Sequence, residues 1–500
     1  MNYRMIRYIT GELLLVEGAL MLLPLAVSLI YGETETAIAF ILPILILAAL
    51  GGGMIMFKPK VQTLRAKDGF VVVGLSWIVL SIFGCLPYIF SGLIPNFIDA
   101  FFETVSGFTT TGSSVLFSDD FARLWSPQNA RVGMRGVFLW RSFTNWVGGM
   151  GVLVFVLAIM PQQDMKSSRL VHVMRAEMPG PKVDKIVATV KKTSAIMYGI
   201  YTVMTAVLCI ILLFGGMDLY ESLCTSFATA GTGGFSIWPD GMMTYGGVAH
   251  PEFCMWTIAI FMFFFSINFN VYFLIITGKL VSAICSEELW WFTGIVTAAT
   301  ALITWNIYSL YGNFPDSVRE AFFQVSTIIS TAGFATTDFN LWPNASKIIL
   351  LVLMYIGACA GSTGGGIKIS RIVIAAKSAW ADIKHMIHPR QVQKVRFEKK
   401  PVDGDTIKGI YAYVIVYAFI FFASFLLIAI IDGQTIETTF SSVSSCLNNI
   451  GPAFGAAGPM SNFAFYSPIS KIILSLDMLL GRLEIFPIVM LFSPSVWREK

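Results

Sequence analysis

Four short stretches with glycine turns constrain the fold of this chain more than any other feature. Each turn follows a moderately apolar run of roughly fifteen residues, too short to cross a bilayer, and lies between two runs that are long enough. The turns occupy residues 109–112, 229–234, 330–334 and 448–452. A chain that repeats the order span, half-helix, glycine turn and span four times can build a four-fold pore from a single polypeptide.

The spacing around the turns indicates a repeated unit. When Gly112, Gly333 and Gly451 are aligned, a phenylalanine stands eleven residues before each glycine, and an acidic residue comes shortly before the phenylalanine. The phenylalanines are Phe101, Phe322 and Phe440, and the acidic residues are Asp99, Glu320 and Glu437. The second copy has Ser222 at the phenylalanine position with Glu221 beside it, so it is the most diverged copy.

The composition is that of a membrane protein. Hydrophobic residues make up 56% of the 500 positions and charged residues only 13%, whereas about 25% are charged in soluble domains. The net charge of +4 is too small and too scattered to predict a nucleic-acid partner. The seven cysteines stand singly, and the four histidines have no cysteine or acidic pair beside them, so no metal site of side-chain ligands is predicted.

Ten runs can span a membrane, and the first two have no glycine turn between them. The spanning runs are roughly 8–31, 38–57, 69–91, 136–160, 194–215, 253–278, 289–311, 348–375, 409–431 and 469–493, and the short runs are about 97–111, 218–232, 318–332 and 435–450. We therefore predict an all-α integral membrane protein with four pore repeats and an extra N-terminal hairpin. The predicted units are 1–67 (hairpin), 68–165, 166–280, 281–400 (with a broken second span) and 401–500.

The lysines and arginines predict the orientation. The linkers 58–68, 162–192 and 367–408 hold four, seven and ten of them. The opposite loops 31–38, 236–252, 334–346 and 452–468 hold none, and 113–132 holds two. Because basic loops stay on the cytoplasmic side, both termini are predicted to be cytoplasmic and the glycine turns to face outward.

The repeated turn suits cation passage. Non-helical backbone at membrane depth is tolerated only where it is buried in protein or lines a water-filled path. Four turns on one axis would offer rings of carbonyl oxygens that replace the water shell of a weakly hydrated cation. Each glycine could instead simply end a buried half-helix, but four copies at matching spacing favour the pore.

The chain resembles the Trk/Ktr/HKT superfamily of potassium transporters over essentially its whole length. The motifs that carry the resemblance lie at 109–112, 146–151, 175–181, 233–236, 333–337, 361–368, 448–452 and 480–484. The extra N-terminal hairpin favours the TrkH-type branch of membrane subunits. The resemblance implies a multi-pass protein of the cytoplasmic (inner) membrane that takes up potassium through a selectivity filter with one glycine per repeat.

The resemblance also implies which residues form the filter and bind K+. They are Thr110, Thr111, Gly112, Thr232, Gly233, Ala332, Gly333, Asn449, Ile450 and Gly451. In some plant members a serine in the first repeat accompanies sodium permeability, so glycine at 112 implies potassium. In the second repeat both Gly231 and Gly233 are candidates, and the match of 233–236 to the family's second loop favours Gly233.

Two features below the filter are predicted to form the gate. The glycine-rich run that interrupts the eighth span should break a helix, because each glycine costs roughly 1 kcal/mol against alanine. The gate residues implied by the resemblance are Gly361, Ser362, Thr363, Gly364, Gly365, Gly366, Lys368 and Arg482. A plain helix kink is the alternative for the loop. For Arg482 the alternative is a structural ion pair with Glu484 or Asp477.

The sequence thus predicts a potassium uptake protein and not an enzyme, since no Ser–His, Cys–His or paired-carboxylate set lies within the spans. A proton- or sodium-coupled cation symporter is the alternative, and it would need titratable carboxylates near the bilayer midplane. No nucleotide-binding fold is present in the chain, so regulation would come from a separate soluble partner. The resemblance implies that this partner is a cytosolic TrkA-type nucleotide-binding subunit, and that the membrane subunit forms a homodimer.

Overall fold

The computed structural model describes residues 2–57, 59, 66–124, 133–151, 190–243, 248–391 and 393–497, and these are mostly helical. The helices of the first part are α1 (Tyr3–Leu20), α2 (Leu22–Ile30), α3 (Thr34–Ile55), α4 (Ala66–Gly84), α5 (Leu86–Phe90), α6 (Phe97–Phe108), α7 (Ser118–Ala122), α8 (Arg135–Gly149), α9 (Val190–Phe214) and α10 (Leu219–Ala230). Next come α11 (Pro251–Phe265), α12 (Phe269–Ile276), α13 (Leu280–Ile284), α14 (Glu287–Tyr311), α15 (Phe314–Ile329), α16 (Asn344–Ile356) and α17 (Ile369–Ile387). Strands β1 (Arg396–Phe397) and β2 (Lys400–Pro401) precede α18 (Gly404–Asp432), α19 (Ile436–Asn448), α20 (Pro468–Arg482), α21 (Phe486–Leu491) and α22 (Pro494–Trp497).

Several of the predicted spans are present as long apolar helices. Within the described ranges, five helical segments are long and apolar enough to cross a membrane: Tyr3–Ile30, Thr34–Ile55, Asp68–Phe90, Ser194–Phe214 and Gly404–Asp432. Helices α11 and α12 are long enough only together, since they have 15 and 8 residues, and the pair is bent by 90°. The sequence predicted one uninterrupted run there, over 253–278, so the bend is a difference.

The remaining predicted spans differ in their continuity. The seventh forms α14, and the eighth is broken between α16 and α17 as the glycine-rich run predicted. The tenth, predicted as one run over 469–493, divides into α20 and α21. Of the fourth run, residues 136–151 are described, and most of them form α8. Residues 152–160, most of the linkers 58–68 and 162–192, and the motif 175–181 lie outside the described residues.

The four short runs all form short helices, as predicted: α6, α10, α15 and α19. Each begins at a side chain that accepts a hydrogen bond from the backbone of the first turn. These N-cap residues are Asn96, Asp218, Asn313 and Thr435. Such caps satisfy amide groups that have no partner inside the helix, so the start of each half-helix is encoded locally.

The N-terminal hairpin packs through small residues. A Cβ built on Gly11 of α1 would lie 3.1 Å from the Gly51 carbonyl oxygen, and one on Gly51 would lie 2.9 Å from the Gly11 carbonyl oxygen. The two glycines therefore let the backbones of α1 and α3 approach closely, which is the usual basis of helix association in membranes.

A small antiparallel hairpin lies between α17 and α18. β1 pairs with β2 in the register Arg396 opposite Pro401 and Phe397 opposite Lys400. The two residues of its turn, Glu398 and Lys399, have φ of 50° and 61°. A two-residue turn with positive φ at both positions matches the twist of the flanking strands.

Candidate ion pathway

The four glycine turns have the same backbone geometry. The amide nitrogens of Thr111, Gly233, Ala332 and Ile450 each donate a hydrogen bond to the carbonyl five residues earlier, at 2.8 to 2.9 Å. The residue before each of them is left-handed, with φ between 52° and 61°: Thr110, Thr232, Thr331 and Asn449. Every half-helix therefore ends in the same turn, although the turns differ in sequence.

The shared geometry fixes the register of the second copy. A glycine with positive φ closes each turn two residues after the left-handed residue, and in the second copy this glycine is Gly234. The match of Gly233 with Gly112 is therefore wrong by one residue, because Gly233 takes the position of Thr111. Gly231, the other candidate, caps the end of α10.

The N-caps support the same register. Asn96, Asp218 and Thr435 stand sixteen residues before Gly112, Gly234 and Gly451. In the third copy the distance is longer, because α15 has 16 residues whereas α6 and α10 have 12.

The corrected register also restores an apolar residue to the second copy. With Gly234 aligned, the position of the three phenylalanines is occupied by Leu223 and not by Ser222. Leu223 packs against the hydrophobic core, as do Phe101 and Phe440. The Gly-Phe pair at 234–235, which repeats the pair at 333–334, was the sequence signal that would have given this alignment.

The four turns contact one another in a closed cycle, in which each turn glycine lies against a carbonyl of the next turn. A Cβ on Gly112 would overlap the carbonyl oxygen of Gly233, one on Gly234 that of Ala332, and one on Gly333 that of Ile450. The cycle closes at Gly451, where a Cβ would lie 2.7 Å from the Thr111 carbonyl oxygen. Equivalent atoms meet at all four junctions. Glycine is required at these positions because φ is positive and the neighbouring carbonyl leaves no room for a side chain.

A buried ion pair fastens the first two turns. Arg141 of α8 donates through Nε to Glu103 Oε1 at 2.6 Å and through Nη1 to the Ser236 carbonyl at 2.6 Å. Glu103 Oε2 accepts a hydrogen bond from the Val115 amide at 2.9 Å. The guanidinium of Arg141 also lies over the Phe235 ring. The pair thus connects the chain that follows the first turn with the chain that follows the second.

A neutral side chain fastens the junction of the fourth and first turns. The Asn449 amide donates to Thr111 Oγ1 at 3.1 Å and to the Met478 carbonyl at 2.8 Å. Near the third turn, Gln324 donates to Thr336 Oγ1 at 3.2 Å. Gln324 stands nine residues before Gly333, as Glu103 does before Gly112. The same position of the repeat therefore bonds the chain after the turn in both copies, through a carboxylate at Glu103 and through an amide at Gln324.

The glycine-rich loop lies against the third and fourth turns. The amide nitrogen of Gly365 donates to Thr331 Oγ1 at 2.6 Å. A Cβ on Gly364 would lie 2.9 Å from the Ser330 carbonyl oxygen, and one on Gly365 would lie 2.8 Å from the Asn448 carbonyl oxygen. The loop between α16 and α17 therefore contacts the turns directly, which a simple kink of the eighth span would not require.

The same loop explains the bend between α11 and α12. Cys359 donates its amide to the Ser266 carbonyl at 3.1 Å, and Thr363 donates to the Phe265 carbonyl at 3.3 Å. In return, Phe269 donates to the Gly361 carbonyl at 3.0 Å. The loop thus satisfies backbone groups that an unbroken helix would pair internally. Asn268 caps α12 by accepting a hydrogen bond from the Asn270 amide at 2.9 Å.

Arg482, the last residue of α20, joins the loop to α8. Its Nη1 donates to the Thr363 carbonyl at 2.8 Å, and its Nη2 donates to the carbonyls of Gly148 and Gly149 at 2.5 Å each. The two acids considered as ion-pair partners make other contacts. Glu484 pairs with Arg371, and Asp477 accepts a hydrogen bond from Ser424 at 2.8 Å.

Lys368 sits at the end of the loop and is buried. Its Nζ donates to the carbonyls of Gly364 and Gly365. The predicted gate residues therefore lie together: 361, 362, 364–366, 368 and 482 line one recess with Gly149, while Thr363 is fully buried beside it. A second recess is lined by Gly112, Gly234, Gly333 and Gly451.

The break after Arg482 was missed from the sequence. Glu484 and Ile485 both have positive φ, of 53° and 72°. Such conformations cost about 1–3 kcal/mol each for residues with side chains, so the surroundings must enforce them. The pairing of Glu484 with Arg371 is one such constraint. Pro487 was the available signal, because proline is favoured in the first turn of a helix and disrupts a helix that continues through it.

Together, these helices, half-helices and broken spans define a multi-span membrane protein of the transporter or channel class. A family model described as TrkH, cation transport protein, matches residues 37–499. The chain is 33% identical to the Trk system potassium uptake protein TrkH of Escherichia coli K12 and 32% identical to that of Halomonas elongata, with full coverage of both chains in each case. The crystal structure of the potassium transporter TrkH from Vibrio parahaemolyticus superposes with a TM-score of 0.85 at 27% identity, again over both whole chains. The chain belongs to the TrkH family of cation transport proteins.

Proposed function

We propose that this chain takes up potassium through a pore lined by its four glycine turns. The observation that supports this best is the closed cycle in which Gly112, Gly234, Gly333 and Gly451 each face a carbonyl oxygen of the next turn. Backbone carbonyls so arranged can replace the hydration shell of potassium. The named relatives are potassium uptake proteins, and none of those names describes an enzyme.

In this proposal the carbonyl ends of the four half-helices converge where the four turns meet. The carbonyl end of a helix carries a partial negative charge, so four such ends favour a cation and disfavour an anion. Among the described residues no group of three or more metal-ligating side chains occurs. The backbone is therefore the proposed source of oxygen ligands for the ion.

The loop and Arg482 form the proposed gate in its closed arrangement. Arg482 bonds the loop at Thr363 and α8 at Gly148 and Gly149, so it bridges two sides of the recess below the turns. A positive charge held in that recess raises the barrier to a cation. Opening would require Arg482 to leave these carbonyls and the loop to move away from Thr331.

The remaining assignments rest on the same proposal. The units 68–165, 166–280, 281–400 and 401–500 would be the four pore repeats, with 1–67 outside them. The protein would lie in the cytoplasmic (inner) membrane, with its basic linkers on the cytoplasmic side. A homodimer and a cytosolic TrkA-type regulatory subunit are the partners that the family resemblance implies.

A proton-coupled symporter is the second candidate, and two buried carboxylates favour it. Glu17 of α1 is fully buried, and within the described part of the chain neither of its carboxylate oxygens has a hydrogen-bond partner. Asp477 of α20 is buried as well, with one oxygen unpaired in that same part. A symporter needs titratable carboxylates within its spans, and these two are candidates for that role.

The decisive experiment is rubidium uptake into liposomes that hold the purified full-length chain, with sodium as competitor. We expect wild type to prefer rubidium and Gly112→Ser to admit sodium, because a serine side chain would overlap the Gly233 carbonyl and distort the turn. The same assay is run with and without a proton gradient. Uptake that needs the gradient and ignores the substitution would contradict the pore and support the symporter.

A further inference from the structure

A carboxylate from α14 holds the beginning of the glycine-rich loop. Glu288 Oε1 accepts a hydrogen bond from the Ala360 amide at 2.8 Å, and Glu288 is only 5% exposed. Ala360 directly precedes Gly361, whose carbonyl accepts the Phe269 amide. The loop is thus fixed on this side by Glu288, while Arg482 holds Thr363 on the other.

The β-hairpin in turn holds the beginning of α14. Glu398 Oε1 accepts hydrogen bonds from Ser286 Oγ at 2.8 Å and from the Glu288 amide at 3.0 Å. Ser286, the N-cap residue of α14, makes no capping bond with its own side chain. Glu398 therefore caps this helix from more than a hundred residues away, and it bonds the backbone of the very residue whose side chain reaches the loop.

The hairpin is also bound to the helix that leaves the loop. Lys377 of α17 donates through Nζ to the Arg396 carbonyl at 3.0 Å and pairs with Glu287. The Glu398 amide donates to Glu287 Oε2 at 3.2 Å. The hairpin thus connects α14, whose Glu288 bonds the start of the loop, with α17, which begins directly after the end of the loop.

The turn of the hairpin has residues that do not favour its shape. Glu398 and Lys399 have φ of 50° and 61°, where asparagine and glycine are usual. A glutamate keeps this conformation only where other contacts stabilise it. For Glu398 these contacts are three hydrogen bonds with α14 and Ser286. The hairpin therefore depends on the same contacts that fix Glu288.

We propose that Glu398 and Glu288 act in series as positioning residues that keep the glycine-rich loop in its closed place. The inference rests on the proposed gating function of this loop. Loss of Glu398 frees the start of α14, Glu288 then holds Ala360 less firmly, and the loop opens more often. The filter turns are not part of this chain of contacts, so the choice between ions stays the same.

The test uses rubidium uptake into liposomes by full-length wild type, Glu398→Ala, Glu398→Gln and Lys399→Ala. We expect Glu398→Ala to raise uptake about threefold, because the two hydrogen bonds that its carboxylate accepts act on the loop only through α14, and to leave the preference for rubidium over sodium unchanged. Glu398→Gln keeps an acceptor oxygen and should remain near wild type. Lys399→Ala, an exposed position on the same turn, is the matched control and should match wild type.

The double variant separates a positioning role from a loss of structure. If the two carboxylates act in series, Glu288→Ala with Glu398→Ala should raise uptake no further than Glu288→Ala alone. Additive effects, uptake at the wild-type level in Glu398→Ala, or a changed ion preference would each overturn the proposal. Gly112→Ser in the same assay reports on the pore itself, so selectivity that relaxes there while Glu398→Ala does nothing would reject only the role of Glu398.

Discussion

The four turns and the glycine-rich loop are both glycine-containing breaks in helical structure, yet they are stabilised in opposite ways. Each turn is closed by a backbone bond to its own half-helix, as between Thr111 and Ser106. The loop is held from elsewhere in the chain, by the side chains of Thr331, Glu288 and Arg482 and by backbone bonds to the bend between α11 and α12. Local backbone bonds give a turn that tolerates sequence change, whereas a few distant bonds give a segment that can be released.

The largest effect should come from breaking a turn. In Gly333→Ala the new Cβ would overlap the Ile450 carbonyl at a residue with φ of 81°. Left-handed strain alone costs about 1–3 kcal/mol. With the overlap added, we expect roughly a hundredfold loss of selective rubidium uptake in liposomes. Gly199→Ala in α9 is the control, because a Cβ there has no heavy atom within 4 Å. Equal uptake by the two variants would show that the turn is not part of the path.

An intermediate effect should come from releasing the loop at Arg482. Arg482→Ala removes the charge and three hydrogen bonds to carbonyls of the loop and α8. We expect rubidium uptake to rise about tenfold, since a charged hydrogen bond contributes about 1.5–3 kcal/mol. Arg482→Lys retains the charge without the planar fork and should fall between wild type and alanine. Unchanged uptake at normal expression would remove Arg482 from the gate.

The smallest effect should come from the contact between the two regions. Thr331→Val keeps the shape of the side chain but removes the hydroxyl that accepts the Gly365 amide. We expect uptake to rise about threefold while ion preference stays constant, because one neutral hydrogen bond is lost. Single-channel recordings in planar bilayers would measure the open probability separately from the ion preference. A change in ion preference would mean that Thr331 serves the turn and not the loop.

The contrast also explains which parts could be predicted from the sequence. The half-helices were predictable because length, apolar content and N-caps such as Asn96 and Asp218 act within one segment. The register of the second turn was mispredicted although the Gly-Phe pair at 234–235 was a signal for it, because three glycines crowd residues 231–234 and only φ separates their roles. The bend before α12 was missed because no proline or glycine lies between Phe265 and Phe269.

The partners of the buried acidic residues were also not predictable from the sequence. The residues that neighbour Glu103 and Glu288 in the chain do not indicate which group each carboxylate binds. The fold places Glu103 against Arg141 and Glu288 against the Ala360 amide. Glu398, in a basic linker, gave no sign of contact with α14, because its partners are more than a hundred residues distant in the chain.

Hydropathy, run length and capping are properties of single segments, so the amino-acid sequence was sufficient to predict a membrane protein with short helices ending in glycine turns. Only the folded chain shows where the sixth span bends, which residues hold the glycine-rich loop, and what Arg482 binds. The physical reason is that a buried backbone group must find a partner. When that partner comes from another segment, only the folded chain shows which residue supplies it.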